Sequence, residues 1–176
     1  QLAGPINVAT DTSSIISRRR GGSAANVAAT AGVLGQPVRF LGQVGTDAVG
    51  AALVAELKAA GVDTQFVRRS GSTGTIVVLV APDAERSMLT DRRTCAELDA
   101  PRPEWLDDVT TLHVPLYSLI EGATAMTAVT LIGWAHDRDV AVSLDLSSTA
   151  LMTGAGLDSV SALVARLRPN IVFANQ

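Results

Sequence analysis

The stretch RRRGGSAANVAATAGVLGQPVRFLGQVG, residues 18–45, places three arginines and two glycines directly before a run of small residues. Glycines at positions 21 and 22 permit a positive φ and let a ligand or another chain segment lie against the backbone. Residues 24–34 are small and apolar at helical spacing, and Gly35 and Pro37 are typical of a helix end. The stretch predicts a helix that begins either at a ligand site or, in the alternative, at an ordinary glycine turn.

The start of this helix is rich in hydrogen-bonding groups. Its first backbone N–H groups have no acceptor within the helix, and Ser23 is placed to cap it. Asn26 lies about one turn further on and carries both a donor and an acceptor. Because each sugar hydroxyl can both donate and accept, a polyhydroxylated ligand would suit Gly21, Gly22, Ser23 and Asn26.

The remainder of the chain alternates between helical and strand-like patterns. Helical patterns cover residues 48–61, 122–136 and 157–167, with Asp47 as an N-cap for the first of them. Buried strands are predicted at residues 38–44, 109–115, 140–146 and 170–175. Helices alternating with short apolar strands predict an α/β fold, with a mainly parallel sheet flanked by helices on both faces.

An antiparallel hairpin interrupts this alternation. The segments TGTIVVLVA (73–81) and ERSMLT (85–90) flank a turn at PDAE, so the second segment is expected to pair with Ile76–Val80. Residues 13–18, SSIISR, are expected to add a further strand. These segments predict a small second sheet that stands off the main one.

Composition excludes several classes of function. The chain has 176 residues, is 47% hydrophobic and 18% charged, and carries a formal net charge of −3, so general attraction to nucleic acid or anionic lipid is not expected. No apolar run approaches the roughly 18 residues of a membrane span, and residues 1–14 lack a signal-peptide pattern. A single cysteine, Cys95, fits a reducing compartment. We therefore expect a cytoplasmic protein.

The longer spacing of residues 21–45 closely resembles the first signature of the PfkB (ribokinase-like) family of carbohydrate and nucleoside kinases. The similarity continues in GQVGTDAVG (42–50), in the hairpin at 73–94, in SLDLSS (143–148) and in RPNIVFANQ (168–176). The positions that match the signature are Gly21, Gly22, Ala24, Asn26, Ala28, Gly35 and Gly45. The resemblance implies that residues 1–176 are part of one ribokinase-like α/β domain with a β-sheet lid, its lid segments at approximately 10–20 and 70–92.

The resemblance also implies roles for individual residues. Gly21, Gly22 and Asn26 correspond to the groups that hold sugar hydroxyls in the family, with Ser23 beside them. Asn175 looks like the Asn of the Asn-x-x-Glu motif, which helps to organise Mg²⁺ and phosphate. The lid closes over the sugar and excludes water.

Three further residues are substrate-binding candidates, and two of them have an open alternative. Tyr117 and Asp145 lie at the carboxyl ends of predicted strands, where open α/β sheets place ligands. Asp145 would otherwise cap the next turn. Arg86, at the start of the second lid strand, either contacts the substrate or is a solvated charge. Arg18–Arg20 are expected to form a solvated edge at the end of a lid strand rather than a phosphate site.

The reaction implied by the resemblance is transfer of the γ-phosphoryl group of ATP to a sugar hydroxyl, with ATP and Mg²⁺ as cofactors and a monovalent cation as a further candidate. In the family, the base and anion hole lie in a Gly-Ala-Gly-Asp stretch. TGAGLDS (153–159) departs from that pattern at Leu157 and is interpreted as a turn that begins a helix.

We therefore assign no catalytic residue within the sequence. The resemblance implies that the catalytic base, and the Glu of the Asn-x-x-Glu motif, lie beyond Gln176. We accordingly expect the C-terminal ATP-binding half to be absent and the chain to be incomplete at both ends.

The sequence leaves two other functions open. A nucleoside kinase of the same superfamily would need aromatic residues around its site, and Tyr117 and the lid are the candidates. A non-catalytic sugar-binding or regulatory protein would bind sugar without forming ADP. The exposed edges of the lid also predict a homodimer formed through it. A zinc site is not expected, because His113 and His136 have no partner at ligand spacing.

Overall fold

The computed structural model describes residues 2, 4–147 and 149–174. The described residues form α-helices, parallel strands and one antiparallel hairpin. The α-helices are α1 (Ser23–Val33), α2 (Ala48–Ala59), α3 (Gly122–His136), α4 (Thr149–Ala155) and α5 (Leu157–Leu167). The strands are β1 (Gly42–Val44), β2 (Val67–Arg69), β3 (Thr73–Val80), β4 (Arg86–Arg93), β5 (Thr111–Pro115), β6 (Ala141–Asp145) and β7 (Ile171–Phe173).

The larger sheet is parallel and has the order β5-β6-β7. Its register sets Pro115 beside Asp145, and Asp145 beside Phe173. All three strands therefore end at one edge of the sheet, and the residues that follow them meet there. A second parallel pair joins β1 to β2, while β3 and β4 form the antiparallel hairpin. The predicted α/β class with a small antiparallel sheet is confirmed.

The main core lies between this sheet and helix α3. Val114 and Val142 on the strands pack with Leu131, Ile132 and Ala135 on the helix, and all five are buried. Successive strand residues point to opposite faces, so Ser143 and Asp145 face away from this core. Helix α1 begins on that other side, because the Ser23 side chain contacts Asp145.

A second, smaller core joins α1 to α2. Ala28, Ala29, Leu57 and Val62 are buried together. The two helices approach closely at Gly32, where an added Cβ would lie 2.2 Å from the carbonyl oxygen of Ala60. This contact holds α1, and with it the residues at its start, against the rest of the domain.

The predicted strand at residues 38–44 is shorter in the structure. Only Gly42–Val44 form a regular strand, although Arg39 makes an isolated parallel bridge with Asp63. The partner segment turns between these two points, where the N–H of Val67 bonds the carbonyl of Thr64. That turn interrupts the ladder.

Two other expectations need correction. Residues 15–22 form no strand, so Arg18–Arg20 do not end one; Ser14 makes a single bridge with Leu2, whose N–H bonds Val80 of the hairpin. Residues 149–155 form a short helix that the sequence pattern did not reveal. The turn predicted within residues 153–159 falls at Gly156, which has φ +84° and precedes α5.

In the described part of the chain, no single helix has the length and apolar character needed to cross a membrane. Helices α4 and α5, which meet at 98°, pass that test only together as a bent pair, on length and composition alone.

Candidate functional site

Helix α1 begins directly after the glycine pair, as its sequence predicts. Gly22 is the N-cap, with φ 92° and ψ 121°, a backbone conformation that residues other than glycine rarely adopt. No side chain caps the helix, so the prediction that Ser23 is the cap is wrong. The cap position falls one residue earlier than expected, which leaves the Ser23 hydroxyl to point elsewhere.

Ser23 instead bonds to the end of β6. Its hydroxyl donates to Oδ2 of Asp145 at 3.3 Å, so the first turn of α1 lies over the carboxyl end of the parallel sheet. The Asp145 carboxylate also accepts from the backbone N–H of Ser147 at 2.9 Å and from its hydroxyl at 3.3 Å. Asp145 therefore caps the turn that follows β6 and also contacts the start of α1. Its role as a substrate contact stays a prediction.

Asn26 lies on the same face of α1 as Ser23, because residues three apart in a helix are neighbours. Its side chain is exposed, and its Oδ1 accepts from Nε of Arg20 at 3.4 Å. The Arg20 side chain thus extends past Gly21 and Gly22 and contacts helix α1. Sequence reasoning had treated this arginine as a solvated edge.

Tyr117 follows β5 at the same edge of the sheet, in a 3₁₀ helix at Leu116–Leu119. Arg92, near the end of β4, donates to the Tyr117 carbonyl at 3.0 Å and holds its guanidinium carbon 5.5 Å from the centre of the Tyr117 ring. Arg92 also pairs with Glu121 at 3.5 Å. The hairpin and the carboxyl end of β5 are therefore joined by an arginine that sequence reasoning did not select.

Arg86 lies at the other end of β4, where it is exposed and pairs with Val80 in the ladder. Within the described residues it makes no hydrogen bond or ion pair with Ser23, Asn26 or Asp145. Its role as a substrate contact stays a prediction.

The predictions at the C-terminal end of the sequence fall on residues that the structure does not describe. Asn175 and Gln176 both lie outside the described residues, whose last member is residue 174. The role of Asn175 toward Mg²⁺ and phosphate, and a catalytic base beyond Gln176, therefore stay predictions.

The base of the hairpin is fixed by Asp47, the N-cap of α2. Its carboxylate accepts from the N–H of Gly50 at 2.8 Å, and from the N–H and hydroxyl of Thr73 at 2.7 Å and 2.6 Å. The hydrogen bonds from Thr73 lower the pKa of Asp47 to about 2, with a further contribution from Gly50. The predicted cap is confirmed, and the same carboxylate ties α2 to the first hairpin residue.

His113 lies on the Asp145 face of the sheet, on the neighbouring strand β5. Its Nδ1 is 2.9 Å from the Ser143 hydroxyl, while its buried Nε2 has no hydrogen-bond partner among the described residues. Desolvation by burial lowers the pKa of His113, and the nearby Asp145 carboxylate opposes that effect. Burial therefore favours the neutral form of this imidazole.

The described residues do not by themselves fit a divalent metal ion. Among them, no three His, Cys, Asp or Glu side chains come together in a group that could hold one. Asp145 is a lone carboxylate beside two serines, which suits hydroxyl groups better than a metal.

Comparison with known proteins assigns the family. A model described as the pfkB family of carbohydrate kinases matches residues 7–171. The chain belongs to this family.

Solved structures share the fold. A ribokinase II from E. coli in its apo form has a TM-score of 0.83 and 19% identity, over 99% of this chain and 57% of that one. The adenosine kinase from Sinorhizobium meliloti has a TM-score of 0.79 and 25% identity, over 88% and 48%. The fructokinase from Xylella fastidiosa has a TM-score of 0.65 and 27% identity, over 75% and 42%. The chain thus spans about half the length of the structures it matches.

A further matching structure contains bound ligands. A ribokinase II from E. coli in complex with ATP and Mg²⁺ matches with a TM-score of 0.80 and 19% identity, over 99% of this chain and 56% of that one. ATP and Mg²⁺ are ligands of that protein. At 19% identity, the match shows only that the two chains share a fold.

Proposed function

We propose that this chain forms the sugar-binding part of a kinase that transfers the γ-phosphoryl group of ATP to a sugar hydroxyl. The observation that carries the proposal is the bond between Ser23 and Asp145. It brings the open first turn of α1 and a carboxylate at the end of β6 to one place, beside Asn26. Family membership supports the same reaction class.

The proposed site suits a polyhydroxylated ligand for a specific chemical reason. The first amides of α1 are donors that the helix itself does not use. Asp145 is an acceptor and is only partly buried, while the exposed Asn26 amide supplies both kinds of group. Sugar hydroxyls that donate to Asp145 and accept from the amides would be held by complementary groups. Arg86 and Tyr117 are proposed as further contacts, on the lid and at the end of β5.

The β3–β4 hairpin is proposed to act as the lid of this site. Its base meets the Tyr117 segment through Arg92, and several of its apolar side chains are exposed on both faces, including Ile76, Val77, Met88 and Leu89. A lid that covers the sugar would exclude water and so limit hydrolysis of ATP. The same exposed apolar surface is consistent with the homodimer expected through the lid.

By analogy with the family, the proposal includes ATP, Mg²⁺ and a monovalent cation as cofactors. It also includes Asn175 and a catalytic base beyond Gln176. ATP would supply the phosphoryl group, and the chain's own residues would bind and orient the acceptor hydroxyl. The single cysteine in 176 residues supports a reducing, cytoplasmic location.

A nucleoside kinase is the second candidate. The exposed ring of Tyr117 at the end of β5 favours it, because an aromatic side chain there could stack on a base. The similarity to an adenosine kinase agrees with that possibility.

The test uses the full-length gene product with ATP and Mg²⁺ against a panel of sugars and nucleosides, with ADP formation as the readout. We expect ADP formation with at least one sugar. ADP formation with nucleosides alone would select the second candidate. Saturable sugar binding without ADP formation would contradict kinase activity and indicate a sugar-binding protein.

A further inference from the structure

Arg92 makes three contacts with one short segment on the far side of the hairpin base. Its Nη1 donates to the carbonyl of Tyr117 at 3.0 Å, its Nε lies 3.5 Å from the Glu121 carboxylate, and its guanidinium covers the Tyr117 ring at 5.5 Å. The planar guanidinium is suited to such combined contacts, since it can stack and donate in fixed directions at once. The side chain thus spans the segment between the end of β5 and the start of α3.

Arg92 contacts both the backbone and the ring of Tyr117. The residue is 37% exposed, so much of its surface is not covered by packing. The cation over the ring face and the bond to the backbone carbonyl fix two different parts of the same residue. Loss of the guanidinium would release both.

The residues that follow Arg92 are held tightly against the start of α3. Gly122 has φ +72°, and a Cβ there would lie 2.5 Å from the carbonyl oxygen of Ala96. The Thr124 hydroxyl accepts from the N–H of Leu98 at 3.0 Å. Arg92 is therefore placed at the junction between the projecting hairpin and a firmly packed segment, and the Tyr117 side chain lies at that junction.

We propose that Arg92 is a positioning residue that holds Tyr117 in its place at the sugar site and so makes that site depend on the lid. The proposal rests on the proposed function, and it adds a residue that the family signature in this chain does not include. Arg92 acts through Tyr117 and need not contact the sugar itself.

The adjacent Arg93 provides a matched control. It is on the same strand and has the same side chain, but its guanidinium pairs at 2.6 Å with Asp91 within the hairpin. Arg92→Ala, Arg92→Lys and Arg93→Ala would be compared in the full-length protein, with thermal unfolding to confirm folding. In Arg92→Ala the KM for the sugar should rise about tenfold or more, while the KM for ATP stays within about twofold, because a lost charge-assisted contact has that magnitude.

Arg92→Lys should recover part of this loss, since lysine keeps the charge without the planar fork. Arg93→Ala should leave both KM values within about twofold of the wild type. A second readout follows the ring itself, with 3-fluorotyrosine placed at position 117. Its ¹⁹F resonance should shift in Arg92→Ala and stay in place in Arg93→Ala.

The outcomes separate this inference from the function on which it rests. An active wild type whose sugar KM changes equally in Arg92→Ala and Arg93→Ala would overturn the role of Arg92 alone. Identical ¹⁹F shifts in the two variants would overturn it too. A wild type that phosphorylates neither sugar nor nucleoside would overturn the proposed function, and the assigned role of Arg92 with it.

Discussion

Ser23 and Asp145 are 122 positions apart in the sequence, yet the Ser23 hydroxyl donates to the Asp145 carboxylate at 3.3 Å. The bond connects the first residue of α1 to the last residue of β6. Both ends of the contact belong to regions that the sequence had marked as candidate ligand sites for separate reasons. The contact brings the two candidate regions together, and we propose that they form one site.

Replacing Asp145 should weaken sugar binding more than replacing Ser23. Asp145→Ala removes the acceptor itself, for an expected loss of about 1–3 kcal/mol, while Ser23→Ala removes one neutral donor, for about 0.5–1.5 kcal/mol. Titration calorimetry with the sugar selected by the ADP assay would measure both. Asp158→Ala is the control, because Asp158 is an exposed carboxylate in the first turn of α5. Equal affinities in Asp145→Ala and Asp158→Ala would remove Asp145 from the site.

Asn26→Ala should lower sugar affinity by about 1–3 kcal/mol, because its amide supplies a donor and an acceptor together. Arg20→Ala should have a smaller effect, since Arg20 contacts Asn26 only through a long 3.4 Å bond at the surface. Equilibrium binding of the same sugar compares the two variants. A folded Asn26→Ala protein with unchanged affinity would contradict the assignment of Asn26.

Asp47 should stabilise the fold in a pH-dependent way. Its pKa is about 2 in the folded chain, against an ordinary value of 3.8, so the unfolded chain takes up the proton first as pH falls. The stabilisation is therefore complete above pH 3.8 and is lost as pH falls toward 2. Urea denaturation should show Asp47→Asn less stable than the wild type at pH 7, with the difference shrinking between pH 4 and pH 2, about the range set by these values.

Glu56→Gln is the matched control for Asp47, since it removes an exposed carboxylate from the same helix. Its stability should stay close to that of the wild type throughout. If the free energies of unfolding of Asp47→Asn and the wild type differed by the same amount at every pH, the hydrogen bonds of the carboxylate would not be the cause of the stabilisation.

Two glycines within helices should respond oppositely to alanine. In Gly32→Ala the new Cβ would lie 2.2 Å from the backbone oxygen of Ala60, so α1 and α2 must separate, at a cost of about 1–3 kcal/mol. In Gly133→Ala nothing lies within 4 Å of the new Cβ, and the helix should gain about 0.5–1 kcal/mol. Chemical denaturation measures both. Destabilisation of equal size in the two variants would disprove the packing argument.

Local patterns were sufficient to predict most of the architecture. The 3.6-residue and 2-residue periods, with Gly35, Pro37 and Asp47 at element ends, predicted α1, α2, α3, α5 and the hairpin, because these signals act within a few residues. The strand predicted at residues 38–44 was longer than the observed β1, because its partner segment turns away at Thr64–Val67. That turn is a property of a distant segment. The short helix α4 has no buried residue in its described span, so it carries no apolar stripe to detect.

The site was only partly predictable for the same reason. Asp145 and Tyr117 could be named because parallel strands end at one edge, but the partner of Ser23 lies more than a hundred residues away. Arg92 and Arg93 are identical neighbours in the sequence. Only the fold distinguishes the arginine that crosses to Tyr117 from the one that stays on the hairpin.

Because the β3–β4 hairpin is long, small rotations at its base produce large displacements at its tip. Each strand has eight residues, which at about 3.3 Å per residue gives an arm of roughly 23 Å between Thr73 and Val80. A rotation of about 10° at the base would then sweep the tip, where Arg86 lies, through roughly 4 Å, by the geometry of an arm of that length. The hydrogen bonds from Thr73 to Asp47 and from Arg92 to Tyr117 lie at the base of the hairpin. Small displacements of those two side chains would therefore be magnified several-fold at the far end of the hairpin.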